Sequence, residues 1–190
     1  MYNNWYDLKS DCGTCRKCPL GETRTNLVFG VGNENAEVML IGEGPGEQED
    51  LQGEPFVGKS GQLLDKYLAA IELDRNKNVY IANIVKCRPP HNRDPKPEEQ
   101  GACISWLKEQ TRLIHPKIIV CVGRIAAQRL MDPNFRVTKQ HGEFINRNGF
   151  LMMGTFHPAA LLRNPSQKPD AFEDFLALRE KIKETCENTY

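Results

Sequence analysis

Four short apolar runs alternate with longer amphipathic stretches, and that alternation constrains this chain more than any other feature. Glu37–Gly42 (EVMLIG), Val79–Val85 (VYIANIV), Lys117–Val122 (KIIVCV) and Phe150–Phe156 (FLMMGTF) each read as a buried strand. Between them, Ser60–Leu73 places Leu63, Leu64, Tyr67, Leu68 and Ile71 at helical spacing behind a capping Ser60. Pro97 opens a helix through Leu113, since proline suits a first turn. A short helix follows Gly123 over Arg124–Leu130. Ala171–Cys186 closes the chain with Phe172, Phe175, Leu176 and Leu178 on one side. Strands alternating with helices predict a parallel sheet covered on both faces. Ligands of such sheets bind beyond the carboxyl ends of the strands. Three unusual segments fall there, Gly42–Gly61, Cys87–Pro97 and His157–Arg163, and are expected to converge on one cleft.

Length and charge set limits. The 190 residues fit one domain, with 39% hydrophobic and 26% charged residues and a formal net charge of +0. Any surface for nucleic acid must therefore be local. No apolar run approaches the roughly 20 residues of a membrane span. Met1–Ser10 lacks the basic start and apolar stretch of a signal peptide, so a cytoplasmic location is expected.

The motifs are individually weak. Gly42-Glu43-Gly44-Pro45-Gly46 lets backbone N–H groups approach a ligand, yet it matches neither the dinucleotide fingerprint nor a Walker loop, and a plain tight turn explains it equally well. Phe56, in a glycine-rich loop, could stack on a flat ring or belong to the core. Asn83 stands in an apolar strand, where a buried amide must be bonded or cost about 1–3 kcal/mol; it could bond backbone or read a base edge. His157 is a lone histidine, raised above the structural reading only by its place after a strand.

The seven cysteines need an explanation, because disulfides are rare in a reducing compartment. Cys12, Cys15 and Cys18 form two overlapping C-x-x-C pairs; Cys87 and Cys103 come much later, with fifteen residues between them. Four thiolates suit zinc or an iron–sulfur cluster, and spacing leaves the two equal. Cys121, inside a strand, reads as a small hydrophobe, and Cys186 as a free thiol.

Taken together, these segments resemble the family 4 uracil-DNA glycosylases, the thermostable bacterial and archaeal type. The matching stretches are GEGPGEQED (Gly42–Asp50), EPFVGKSGQLL (Glu54–Leu64), NIVKCRPPHNRDP (Asn83–Pro95) and HPAALLR (His157–Arg163). CRKCPLGETRT (Cys15–Thr25) and VFGVGN (Val28–Asn33) extend the likeness toward the N-terminus. The resemblance implies a single-domain α/β/α sandwich over residues 1–190 with a central four-stranded parallel sheet. It implies one 4Fe–4S cluster on Cys15, Cys18, Cys87 and Cys103, with Cys12 surplus because CPLGETRT fits only that register. It also implies a monomer acting on uracil-containing DNA, single- or double-stranded, with no membrane partner.

The implied reaction is hydrolysis of the deoxyuridine N-glycosidic bond after base flipping. In that reading Phe56 stacks on the flipped ring, Asn83 pairs with O4 and N3–H, and His157 donates to O2, assisted by backbone N–H groups around Gly44. Family 1 enzymes carry a catalytic aspartate where this chain has Gly44, which leaves Glu43, Glu49 and Asn92 as candidates to activate water or steady the sugar. Lys86, Arg88, Arg93, Lys96 and Arg163 would meet DNA, mainly at phosphates. Leu161 or Leu162 would fill the vacated space in the stack. Two other readings use the same residues. One is a covalent uracil-DNA binder, whose KRRIH insertion is absent although His91 lies in the neighbouring loop. The other is a non-catalytic, cluster-bearing module that docks DNA or a polymerase.

Overall fold

The computed structural model describes Met1 to Tyr190. In chain order the elements are α1 (Trp5–Gly13), α2 (Leu20–Thr23), β1 (Val31–Gly32), β2 (Val38–Gly42), α3 (Glu47–Gln52), α4 (Lys59–Ala70), β3 (Val79–Asn83), α5 (Pro97–Ile114), β4 (Ile118–Val122), α6 (Arg124–Leu130), α7 (Val137–Gln140), β5 (Phe144–Arg147), β6 (Phe150–Thr155), α8 (Pro158–Arg163) and α9 (Lys168–Thr185).

The sheet runs β1-β3-β2-β4-β6-β5. Its four central strands are parallel, as expected, and they come from the four apolar runs. The sheet nevertheless has six strands, because a short antiparallel strand closes each edge. β1 is only two residues long. β5 pairs with β6 through a two-residue turn in which Asn148 (φ 52°) and Gly149 (φ 84°) are both left-handed. An Asn-Gly pair between strands is a hairpin signal, but β5 is mostly exposed and lacks the apolar pattern that marks a strand in sequence.

Side chains alternate across the central strands and build one core on each face. Met39, Ile41, Tyr80, Ala82, Ile119, Cys121 and Met152 face Leu8 and Cys12 of α1 and Trp106, Leu107 and Ile114 of α5. Val38, Leu40, Val79, Ile81, Val120 and Met153 face Leu64 and Leu68 of α4 and Phe175, Leu178 and Ile182 of α9. Helix α1 is unannounced by periodicity, since its buried stripe is only Leu8 and Cys12. Its start is conventional: the Asn4 side chain accepts from Asp7 N at 2.9 Å, an N-cap.

Candidate active site

Beyond the carboxyl ends of the parallel strands lies a cleft of about 630 Å³, and the three expected segments do meet there. Each wall has a local reason for its shape.

β2 ends at Gly42, opposite Asn83 in the parallel register, and the β2–α3 loop follows. A Cβ on Gly42 would fall 2.5 Å from Asn83 Oδ1 and 2.6 Å from Phe56 Cζ, so glycine makes the room in which both side chains stand. Gly44 passes so close to Val85 that a Cβ would lie 2.6 Å from its Cγ2, which leaves no space for a side chain there without movement.

Glu49 ties this loop to the next one. One carboxylate oxygen accepts from Gly46 N at 3.1 Å; the other accepts from Val57 N and Gly58 N, each at 3.0 Å. Three backbone donors occupy the carboxylate, so Glu49 holds the cleft wall and is poorly placed to act as a base. Phe56 follows in the left-handed region (φ 53°) and is buried. Arg75 fixes that turn by donating to the carbonyls of Pro55 (2.8 Å) and Phe56 (2.7 Å) while pairing with Asp65.

Asn83, the last residue of β3, is 2% exposed, and its Oδ1 is the molecule's sole buried side-chain polar atom without a hydrogen-bond partner. Native interiors seldom leave such an atom unpaired, at a cost of about 1–3 kcal/mol. The amide lines the cleft, where a ligand can satisfy it.

His157 is the N-cap residue of α8. Its Nδ1 accepts from Ala159 N at 3.1 Å, which places the ring proton on Nε2. Burial pulls the imidazole down to about 4, with Arg163 adding to the effect and Glu49 opposing it. At neutral pH the ring is therefore an uncharged donor, 5.6 Å from the Phe56 ring between centroids.

Glu43 also lines the cleft, and no hydrogen bond holds its carboxylate. Burial, reinforced by the charge of Asp94 and opposed by Arg124, raises it to about 7. Asn92 reaches the same cleft on a loop where His91 and Asn92 are both left-handed (φ 56° and 55°), but its Oδ1 accepts from Arg88 Nε at 2.8 Å. Of the three residues considered for activating water, Glu43 alone keeps an unengaged carboxylate.

The expected DNA contacts divide sharply. Lys86 has no exposed surface; its ammonium donates to the carbonyl of Asn83 (3.0 Å) and to Gln110 Oε1 (2.6 Å). It cannot meet phosphate, and that expectation is corrected. Leu161 is corrected too: at 1% exposure it belongs to the core, whereas Leu162 is 42% exposed. Arg93 lines the cleft but is committed to Glu99 through a two-point pair at 2.8 and 2.7 Å. Arg88 lies 3.6 Å from Glu47, Lys96 is exposed, and Arg163 is exposed at the rim. Arg124, which opens α6 and pairs with Asp94 at 2.6 Å, also lines the cleft. Sequence reasoning missed it, although it follows β4 as the other site segments follow their strands. His91, the residue a covalent mechanism would need, is exposed on the loop and does not line the cleft.

Behind this site, Cys15, Cys18, Cys87 and Cys103 surround a second, smaller pocket with Lys17, Lys86 and Trp106. Three of these sulfurs receive donors: Trp106 Nε1 to Cys15 (3.3 Å), Arg24 Nη1 to Cys87 (3.2 Å) and Lys86 N to Cys103 (3.3 Å). Cys12 lies in the core on α1, outside this pocket, and burial pushes its thiol up to about 12. Cys121 is buried in β4, also pushed to about 12, and Cys186 is half-buried.

Fold and cleft together define an α/β/α protein that presents an unpaired amide, a neutral imidazole and a buried aromatic to a ligand at its strand ends. The sequence profile of the uracil DNA glycosylase superfamily matches residues 29–179. The chain is 45% identical over 188 residues to a type-4 uracil-DNA glycosylase of Archaeoglobus fulgidus, covering 95% of this chain and 92% of that one. A type-4 uracil-DNA glycosylase of Thermotoga maritima is 46% identical over 156 residues, 81% of each chain. One from Sulfurisphaera tokodaii is 41% identical over 181 residues, 91% of this chain and 82% of that one. The chain belongs to the type-4 group of the uracil-DNA glycosylase superfamily.

Proposed function

We propose that this protein excises uracil from DNA by hydrolysing the N-glycosidic bond of a flipped deoxyuridine. The observation that carries this reading is the orphaned Oδ1 of Asn83, which a uracil N3–H would satisfy while the amide NH2 donates to O4. Phe56 supplies the flat face for the ring. His157 Nε2–H donates to O2 as the base departs with negative charge, and backbone N–H groups around Gly44 add to that stabilisation. Because the imidazole is neutral, it stabilises the leaving uracil anion by a hydrogen bond and keeps its proton. The sugar develops positive charge as the bond breaks, and the ionised Glu43 steadies it and orients water. Leu162 fills the space the base leaves, while Arg88 and Arg163 meet phosphates; the chain acts as a monomer.

The donor set around the second pocket fits a cluster. Four cysteines face one space, and three N–H groups point at their sulfurs, as suits thiolates. Cys15, Cys18, Cys87 and Cys103 would hold a 4Fe–4S cluster, which supplies a structural clamp between the N-terminal segment, the loop after β3 and helix α5.

The test is release of free uracil from a defined oligonucleotide, with thymine and cytosine controls and a gel for covalent adducts. Free uracil with no adduct is expected. A stable protein–DNA adduct, or binding without release, would replace this reading with the covalent or the non-catalytic one.

A further inference from the structure

Lys86 is the molecule's only buried cation, and the roles above do not use it. Its ammonium meets two neutral acceptors, the Asn83 carbonyl and Gln110 Oε1, and no carboxylate. Gln110 is itself fixed, donating to the carbonyl of Phe29 (2.8 Å) and to the Tyr80 hydroxyl (3.3 Å), so its amide oxygen is committed to Lys86. A buried charge without a counter-charge is among the most costly groups in an interior. The missing negative charge has an evident source. Lys86 lines the cysteine pocket, its backbone N–H donates to Cys103 Sγ, and the next residue is Cys87. Thiolates holding an iron–sulfur core carry net negative charge on this side of the lysine. Its ammonium donates to the carbonyl of Asn83, the residue assigned to the base.

We propose that Lys86 is the counter-cation of the cysteine-held cluster and the strut that fixes Asn83 relative to it. This rests on the cluster reading above, and it makes Lys86 a positioning residue that acts through Asn83. A lysine serving only as a hydrogen-bonded spacer would be replaceable without electrical consequence; a counter-cation would not.

The experiment uses the whole protein purified without oxygen. Lys86→Met keeps the stem and removes the charge, Lys86→Arg keeps the charge, and Gln110→Glu sets an anion beside Lys86. The cluster's reduction potential is measured in each, together with the rate of iron loss to a chelator and KM and kcat per iron-loaded chain. Removing the cation disfavours the more negative, reduced cluster. Lys86→Met should therefore shift the potential to more negative values and lose iron on the order of tenfold faster. Its KM for the uracil oligonucleotide should rise more than its kcat falls. Gln110→Glu should move the potential in the same direction, and Lys86→Arg should stay near the unmodified protein. Potential and iron retention unmoved by Lys86→Met, or moved alike by Met and Arg, overturn the counter-cation; an unchanged KM overturns the strut. If Lys86→Met does not accumulate, an unmoved potential in Gln110→Glu overturns the proposal by itself. Absence of iron from the unmodified protein would instead refute the cluster reading.

Discussion

The tautomer of His157 decides what that side chain can contribute. With Nδ1 occupied by Ala159 N–H, only Nε2–H is left to donate, and burial keeps the ring neutral down to about pH 4. Contact with a leaving group strengthens in the transition state, so His157→Ala should lower kcat by roughly 10²–10³ with little change in DNA affinity. Poor binding with normal turnover at saturation would contradict this. The same shift links to stability. The folded pKa lies below the unfolded one, so the unfolded chain takes up the proton first, and stability falls as pH drops from about 6.5 toward 4. Glu43 carries the opposite expectation for activity. Burial, then Asp94, raise it to about 7, so kcat should climb with pH through that region as the carboxylate ionises. Glu43→Gln should flatten the limb, and Arg124→Ala should move it to higher pH, since Arg124 holds the pKa down. An unaltered limb in Glu43→Gln would assign it to another group.

At the scale of elements, α8 separates two adjacent leucines that the sequence treats as equals. Leu161→Ala should cost about 2–5 kcal/mol of stability as a core truncation. Leu162→Ala should change stability by no more than about 0.5 kcal/mol but depress uracil release from duplex more than from single strands, where no stack needs filling. Chemical denaturation and paired substrates check both; equal loss on the two substrates would deny Leu162 a wedge role. The central strands were legible because parallel strands, covered on both faces, must be continuously apolar. Val31–Gly32 and Phe144–Arg147 were not, being short or exposed edges that bury too little to leave a pattern. The strand-end rule located three walls of the cleft and, applied to β4, would have found Arg124. A lysine in a basic loop looks solvated in sequence; only packing reveals that the Lys86 ammonium turns inward. Glu49 and Asn92 show the same limit, since only the folded loops reveal that backbone N–H groups already engage the carboxylate and that Arg88 Nε engages the amide.

At the scale of the whole molecule, the cysteine pocket and the base-reading cleft share the end of β3 and the loop that follows it, with Asn83 closing the strand and Lys86 and Cys87 on the loop. Loss of the clamp should therefore damage both. Replacing Cys15, Cys18, Cys87 or Cys103 with alanine should reduce iron content and soluble yield, with about four irons per chain in the unmodified protein as the cluster type requires. Cys12→Ala should leave iron bound, because Cys12 lies in the core outside the pocket. Colourless protein holding one zinc, or iron lost on replacing Cys12, would contradict this assignment. The central claim is that the unpaired amide of Asn83 selects uracil. An amide donates to O4 and accepts from N3–H; cytosine would set its amino group against the amide NH2 in a dry pocket, at about 1–3 kcal/mol for each group left unpaired. Asn83→Asp removes the donor and can accept the amino hydrogens of cytosine. The deciding measurement is base release by iron-loaded Asn83→Asp from matched uracil and cytosine oligonucleotides at subsaturating DNA. Loss of uracil release, with any residual activity shifted toward cytosine, is the predicted result; unchanged uracil release would mean that selection lies elsewhere.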